Sequence, residues 1–261
     1  MANLYSTKGE VKSKVNLPPV FKTAYRPDLI QRSVVAEEST ERQRYSNNPN
    51  SGFKYSADYY GSRRHAYRQT INRGQSRLPR EKPGGGGLGQ IRIVPQAKGG
   101  HRSHPPKGRD YTKKINKKEY ALALKSAIAA TKEKDLALSR GHKVEKISEL
   151  PIVVEDAVEK IGNTSKLEET LKSLGLKDEL ESVTVKKKTG KPETRSRDAR
   201  TKRGILFILK NAENVLKASS NLPGVDATTV DELKVGLLAP GTKAGRLTVW
   251  SESALKIIGE K

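Results

Sequence analysis

The excess of positive charge is confined to two stretches of this 261-residue chain. Residues 42–118 carry nineteen Lys and Arg against three acidic side chains, and residues 186–203 carry nine against two. Their net charges, +16 and +7, together exceed the whole-chain value of +22, so the other 166 residues sum to about −1. Cations in that excess cannot enter a core, because burying an unpaired charge is far too costly. The chain therefore reads as a nearly neutral body with two cationic excursions, and such a charge density belongs beside a dense polyanion.

A body of that length fits one domain with a substantial core. The chain has no Cys, which excludes disulfides, thiolate metal sites and Cys nucleophiles. No apolar run approaches the roughly 18 residues of a membrane span, and the N-terminal residues lack an apolar signal segment. A soluble, non-secreted protein is expected.

Within the body, apolar patterning alternates between strand and helix. Residues 3–6 can form a first strand, and Pro27 in a first turn opens a helix carrying Leu29, Ile30, Val34 and Val35. Asn116 and Glu119 stand in capping-box spacing before one long helix that Gly141 stops. Residues 151–154 make a short buried strand. Ser165 and Glu168 mark the start of a helix with Leu167, Leu171 and Leu174 on one face. The continuous apolar run at 204–211 suits a strand covered on both sides. A helix is expected from Thr229 to about Ala239, then a strand at 246–250 and a short helix at 254–258. These elements predict an α/β fold: an open, mostly parallel sheet with helices on both faces, plus a long irregular internal loop. The globular domain comprises 1–41 and 116–261, the loop spans 42–115, and a second basic loop lies at 186–203.

The long loop is an insertion and not a tail, since it leaves after one helix and returns to begin another. The candidate RNA contacts there are Arg42, Arg44, Lys54, Arg63, Arg64, Arg68, Arg73, Arg77, Arg80, Arg92, Lys98, Arg102, Lys107, Arg109, Lys113 and Lys114, with His101 and His104 beside them. Guanidinium groups predominate, and they pair bidentately with phosphate and stack on bases. Tyr55, Tyr59, Tyr60 and Tyr67 are spaced among them as stacking candidates for unpaired bases, with Tyr45 and Phe53 as further rings. Eleven of the 22 glycines fall in this stretch, where they allow close backbone approach. The second excursion offers Lys187, Lys188, Arg195, Arg197, Arg200 and Arg203. A solvated, disordered linker is the plain alternative for any charge run. The Arg/Tyr/Gly mixture argues against it, and folded RNA is favoured over duplex DNA because no long helix or zinc site is available for a major groove.

Signals for catalysis are weak. Gly84, Gly86 and Gly89 match G-x-G-x-x-G, but neither an apolar strand nor a helix flanks them. His101 and His104 lack a third metal ligand nearby. The acidic neighbours Glu155-Asp156 and Glu168-Glu169 are expected on solvated strand ends or helices, and Trp250 in the core.

Several segments resemble the universal large-subunit ribosomal protein L-four family, in its archaeal and eukaryotic branch and most closely the archaeal type. They are residues 15–34, 94–107, 116–132, 202–226 and 237–255, which follow the family's order along most of the chain. The resemblance implies a structural constituent of the large (50S) subunit in the cytoplasm, with no catalysis and no cofactor beyond Mg2+ carried by the RNA. It implies 23S-type rRNA, neighbouring ribosomal proteins and the passing nascent peptide as partners, a monomer within the ribosome, and no membrane. The family binds early in assembly, contacts several rRNA domains, and extends its loop to the wall of the polypeptide exit tunnel. Asn72, Arg73, Gly74, Arg77 and Arg80 match the tip motif of that loop, although Thr70 and Asn72 stand where the motif has glycine. Two rivals remain. An RNA-modifying α/β enzyme requires a glycine-rich first βα turn, which residues 7–16 do not provide. A free RNA chaperone shares the basic tracts but does not require a large body.

Overall fold

A computed structural model describes residues 2–59, 74–81, 87 and 89–260. The chain divides into two compact units, Met1–Glu41 with Thr112–Lys261 and, separately, Arg42–Tyr111. In chain order the first unit runs β1 (Ala2–Tyr5), β2 (Val11–Val15), α1 (Pro27–Glu41), α2 (Lys117–Ala130), α3 (Lys134–Arg140) and β3 (Ile152–Val154). It continues through α4 (Thr164–Ser173), α5 (Lys177–Ser182), β4 (Val185–Lys187), β5 (Ala199–Thr201) and β6 (Leu206–Leu209). It closes with α6 (Glu213–Ser219), β7 (Asp226–Thr229), α7 (Val235–Leu238), β8 (Thr248–Ser251) and α8 (Glu252–Glu260).

Six strands form one sheet in the order β2-β1-β3-β8-β6-β7, with only β2 antiparallel to its neighbour. Alternation along the strands supplies two cores. Leu206, Ile208, Val153 and Trp250 join residues of α1, α2, α7 and α8 on one face. Phe207, Leu209, Ile152, Val154 and Val249 join residues of α4 and α6 on the other. Because β6 is buried on both faces, its sequence is apolar throughout, as expected for a central parallel strand. Trp250 is fully buried in an edge-to-face contact with Phe21, at 5.6 Å between ring centroids.

Five local expectations change. The single helix after Asn116 is two, α2 and α3. Thr131 donates its hydroxyl to Ile128 O at 2.7 Å, and the Lys132 and Glu133 amides bond three residues back, which tightens and ends the turn. Asn116 does cap α2 through the Lys118 amide, but Glu119 faces Arg32 at 3.4 Å. The cap of α4 is Asn163, which accepts from the Ser165 amide at 3.2 Å, so Ser165 lies inside the helix. The helix expected from Thr229 is replaced by strand β7, a turn, and the short α7. The Thr229 hydroxyl still accepts from the Glu232 amide at 3.3 Å, so the capping signal is used to make a turn. Finally, the second basic stretch is a hairpin, β4 paired antiparallel with β5.

The first strand is followed by a turn into β2 and not by a helix. Gly9 there has φ +85°, and a Cβ on it would lie 2.3 Å from Ser173 O, so only glycine fits.

Replacing Phe21 with Ala removes the ring that packs on Trp250. A loss of about 3 kcal/mol in unfolding free energy is expected, read from urea titration of the protein's single tryptophan. A loss below about 1 kcal/mol contradicts the packing described.

Candidate nucleic-acid interface

The unit Arg42–Tyr111 contains no helix or ladder strand and no buried residue among the described residues. Hydrogen bonds, ring contacts and close glycine approaches hold it instead. At its root the Arg42 guanidinium lies 4.0 Å over the Tyr111 ring, and Arg44 pairs with Asp110 at 2.7 Å. The Asn47 amide donates to Pro106 O at 3.4 Å, which brings outgoing and returning chain together. Farther out, Gly52 has φ +83° and runs against the His101 backbone, where a Cβ would lie 2.5 Å from His101 Cα. Phe53 stacks on the His101 ring at 4.5 Å. Asp58 and Arg80 exchange backbone bonds of 2.9 Å, and Arg80 also bridges to Ile91.

The sequence-selected cations divide into two groups. Arg80 and Arg92 are half-buried and serve the arm's own architecture. Arg80 donates to Ser76 Oγ at 3.0 Å, while Arg92 bonds Glu81 at 3.0 Å and lies 4.6 Å over the Tyr55 ring. His101 is half-buried between Phe53 and Ile93 O. Arg42, Arg44, Lys54, Arg77, Lys98, Arg102, His104, Lys107 and Arg109 are exposed, as are Lys113 and Lys114 at the start of the returning body and the rings of Tyr55 and Tyr59. Gly74 of the tip motif is exposed with φ +65°. Tyr60, Arg63, Arg64, Tyr67, Arg68, Thr70, Asn72 and Arg73 lie outside the described residues, as do Gly84 and Gly86.

The hairpin presents Lys187, Lys188, Arg195, Arg197 and Arg200 to solvent, with Arg203 exposed just after it. A two-stranded hairpin is marginal alone in water, so its root needs an anchor. That anchor, which sequence reasoning missed, is Glu179. Its fully buried carboxylate accepts from His142 Nδ1 at 2.7 Å, from the Lys143 amide at 2.8 Å, and from Lys202 Nζ at 3.3 Å. His142 Nε2 in turn accepts from the Leu247 amide at 3.4 Å, which ties the network to the residue entering β8. Burial pushes the Glu179 carboxyl up, but the His142 hydrogen bond, the Lys143 amide and the charge of Lys202 outweigh it, leaving it below the usual range. A buried Glu between a His and a Lys carries no periodic signal, which is why the sequence did not expose it.

Ligands of open α/β sheets bind outside the carboxyl ends of the strands. Here the chain's own carboxylates occupy that position. Glu155 accepts from the Thr7 amide at 3.0 Å, and Asp156 from the Ser253 amide at 2.9 Å in the first turn of α8. Glu159 accepts from the Lys210 amide at 2.8 Å, after β6, and from Ser251 Oγ at 2.8 Å, at the end of β8. Amides that would cradle a phosphate are therefore already engaged. Glu155 and Asp156, expected on solvated positions, are structural caps, and Glu159 acts in the same way.

The geometry thus defines an α/β body whose usual ligand edge is closed by its own carboxylates and which carries cationic extensions. A family model described as the ribosomal protein L4/L1 family matches residues 15–261. The large ribosomal subunit protein uL4 of Archaeoglobus fulgidus is 41% identical over 262 residues, covering 99% of this chain and 98% of that one. Those of Methanosphaera stadtmanae and Nanoarchaeum equitans are 38% and 39% identical, each covering 99% of this chain and 96% and 97% of theirs. The chain belongs to the ribosomal protein L4/L1 family, as its resemblance implied, and is a structural ribosomal component and not an enzyme.

Because the folded pKa of Glu179 is depressed, the stability it contributes is present above the unfolded carboxylate value and lost as pH falls through the folded one. Glu179→Gln should therefore cost about 3 kcal/mol at neutral pH, and the difference from the native chain should shrink steadily once pH drops below about 4. Urea titrations at the two pH values check it; a pH-independent difference contradicts it.

Proposed function

We propose that this chain is an rRNA-binding structural constituent of the large subunit of the cytoplasmic ribosome, joining 23S-type rRNA early in assembly. The body sits among several rRNA domains and neighbouring ribosomal proteins as a monomer. The arm, with Asn72, Arg73, Gly74, Arg77 and Arg80 at its tip, reaches the wall of the polypeptide exit tunnel and meets the nascent peptide. It needs no cofactor of its own, and any structural Mg2+ is carried by the rRNA.

One observation carries this reading: a densely cationic unit of the chain, Arg42–Tyr111, has no buried side chain among its described residues. A segment without a core cannot offset the entropy of its own ordering. Phosphates supply the missing energy by neutralising the exposed guanidinium and ammonium groups and releasing counterions. Exposed Tyr59 and Tyr55 add faces for unpaired bases. Ile93, a β-branched residue at φ +75°, is a strained position within the arm, of the kind found where a ligand fixes backbone.

With about eight phosphates contacted, log affinity for an rRNA fragment should fall against log salt with a slope near −6. Replacing Arg102, Lys107 and Arg109 by Ala should flatten that slope by about 2. Filter binding across a salt series measures both, and a native slope flatter than about −2 rules the proposal out.

A further inference from the structure

A second cationic feature lies on the first unit at the amino ends of β6 and β7, away from the carboxylate-capped ends of the strands. It is an open groove of about 1350 Å³ between the hairpin, edge strand β7, and the segment around Pro240. Arg140, Lys186, Arg200, Arg203 and Lys243 line it, and Asp226 is the single carboxylate among its lining residues. That carboxylate is already engaged by buried Arg246 and by Arg203, at 2.5 and 3.1 Å. Lys186 and Arg200 are direct cross-strand partners in the hairpin, and both line the groove. Like charges so placed repel each other, so the hairpin gains stability when an anion lies between them.

Charge alone does not choose between nucleic acid and acidic protein, but the rest of the groove does. Its floor is aliphatic, from Leu216, Leu222, Pro223 and Leu237, and Leu216 is 43% exposed. The lining contains no Tyr, Phe, Trp or His, so unpaired bases find no ring to stack on. A phosphodiester backbone also leaves aliphatic surface uncovered. In addition, β7 ends the sheet, and no strand pairs with its outer edge among the described residues. The Asp226 amide points inward to Ile205 O, so alternation along the strand turns the amide of Ala227, a groove residue, toward the open edge. Main-chain hydrogen bonds, aliphatic pockets and flanking cations are the three elements by which a sheet edge captures an extended peptide.

We infer that this groove docks an acidic, extended polypeptide segment with aliphatic side chains, which adds a strand beside β7 while its carboxylates face Lys186, Arg200 and Lys243. The groove lies outside the cationic arm, and the inference does not depend on what the arm binds. It also divides the hairpin's work. Lys187, paired with Ala199 in the ladder, belongs to the opposite face from Lys186 and Arg200 and remains available to other anions.

Titration of the full-length, 15N-labelled protein with a dodecapeptide of alternating Glu and Leu tests this, with a Glu-Ser dodecapeptide and an oligouridylate as comparison probes. At about 0.15 M salt, where exposed charges are screened beyond about 8 Å, the Glu-Leu peptide should shift the amides of Leu216, Gly224 and Ala227. It should bind at least about tenfold more tightly than the Glu-Ser peptide. Lys186→Glu with Arg200→Glu should weaken it about tenfold, and Lys243→Glu, outside the hairpin, should weaken it in the same direction if the hairpin variant loses its fold. Shifts confined to residues 42–111, or equal affinity for both peptides, overturn the inference. So does oligouridylate that moves the same groove amides and displaces the peptide, which would make the groove a nucleic-acid site.

Discussion

An ammonium or guanidinium without a counter-charge cannot be packed against apolar side chains, and this restriction organises the molecule. The sheet and its two cores are assembled from the nearly neutral part of the sequence. The surplus cations are displaced into an arm with no buried side chain among its described residues and a hairpin exposed along its length. Where a cation does enter the body, its partners are complete. Arg246, 1% exposed, donates to Gly204 O, Leu237 O, Ile205 O and the Asp226 carboxylate. Lys202 is held by Gly141 O, Ser182 Oγ and buried Glu179. Matched cations therefore build the frame, and the surplus is left facing solvent.

The closed carboxyl edge of the sheet follows from the same economy. An α/β protein that holds a nucleotide leaves amides free at the helix starts and strand ends. Here Glu155, Asp156 and Glu159 satisfy those amides internally. The architecture is shared with many enzymes, while the chemistry at the usual site is spent on rigidity. That agrees with membership in a family of ribosomal proteins.

Much of the fold was legible because its signals are local. The run around Leu206–Leu209 reads as a doubly covered strand, Pro27 marks a helix start, and Gly141 a helix end. The misreadings arose where a local signal had two outcomes. Thr229 with Glu232 carries the spacing of a helix cap, yet the same bond closes a turn after an edge strand rich in Thr and Asp. Asn163, two residues before Ser165, takes the cap, and because the two residue types are about equally favoured there, type alone does not choose between them. Composition identified the cationic stretches but not their internal division of labour. That Arg80 and Arg92 brace the arm while Arg102 and Arg109 face solvent depends on contacts between residues distant in sequence. Glu179, His142 and Lys202 are likewise brought together only by the tertiary fold.

The arm is inserted between α1 and α2, two helices that pack on each other, and its two ends meet at the Arg42–Tyr111 and Arg44–Asp110 contacts. Both chain ends of the arm are thereby fixed, so the body senses it only as a closed loop. The free energy of closing a loop grows with the logarithm of its length, about 0.6 kcal/mol for each doubling. Lengthening or trimming the distal part should barely register in the stability of the sheet. The stability of the sheet consequently places little constraint on how far the arm reaches.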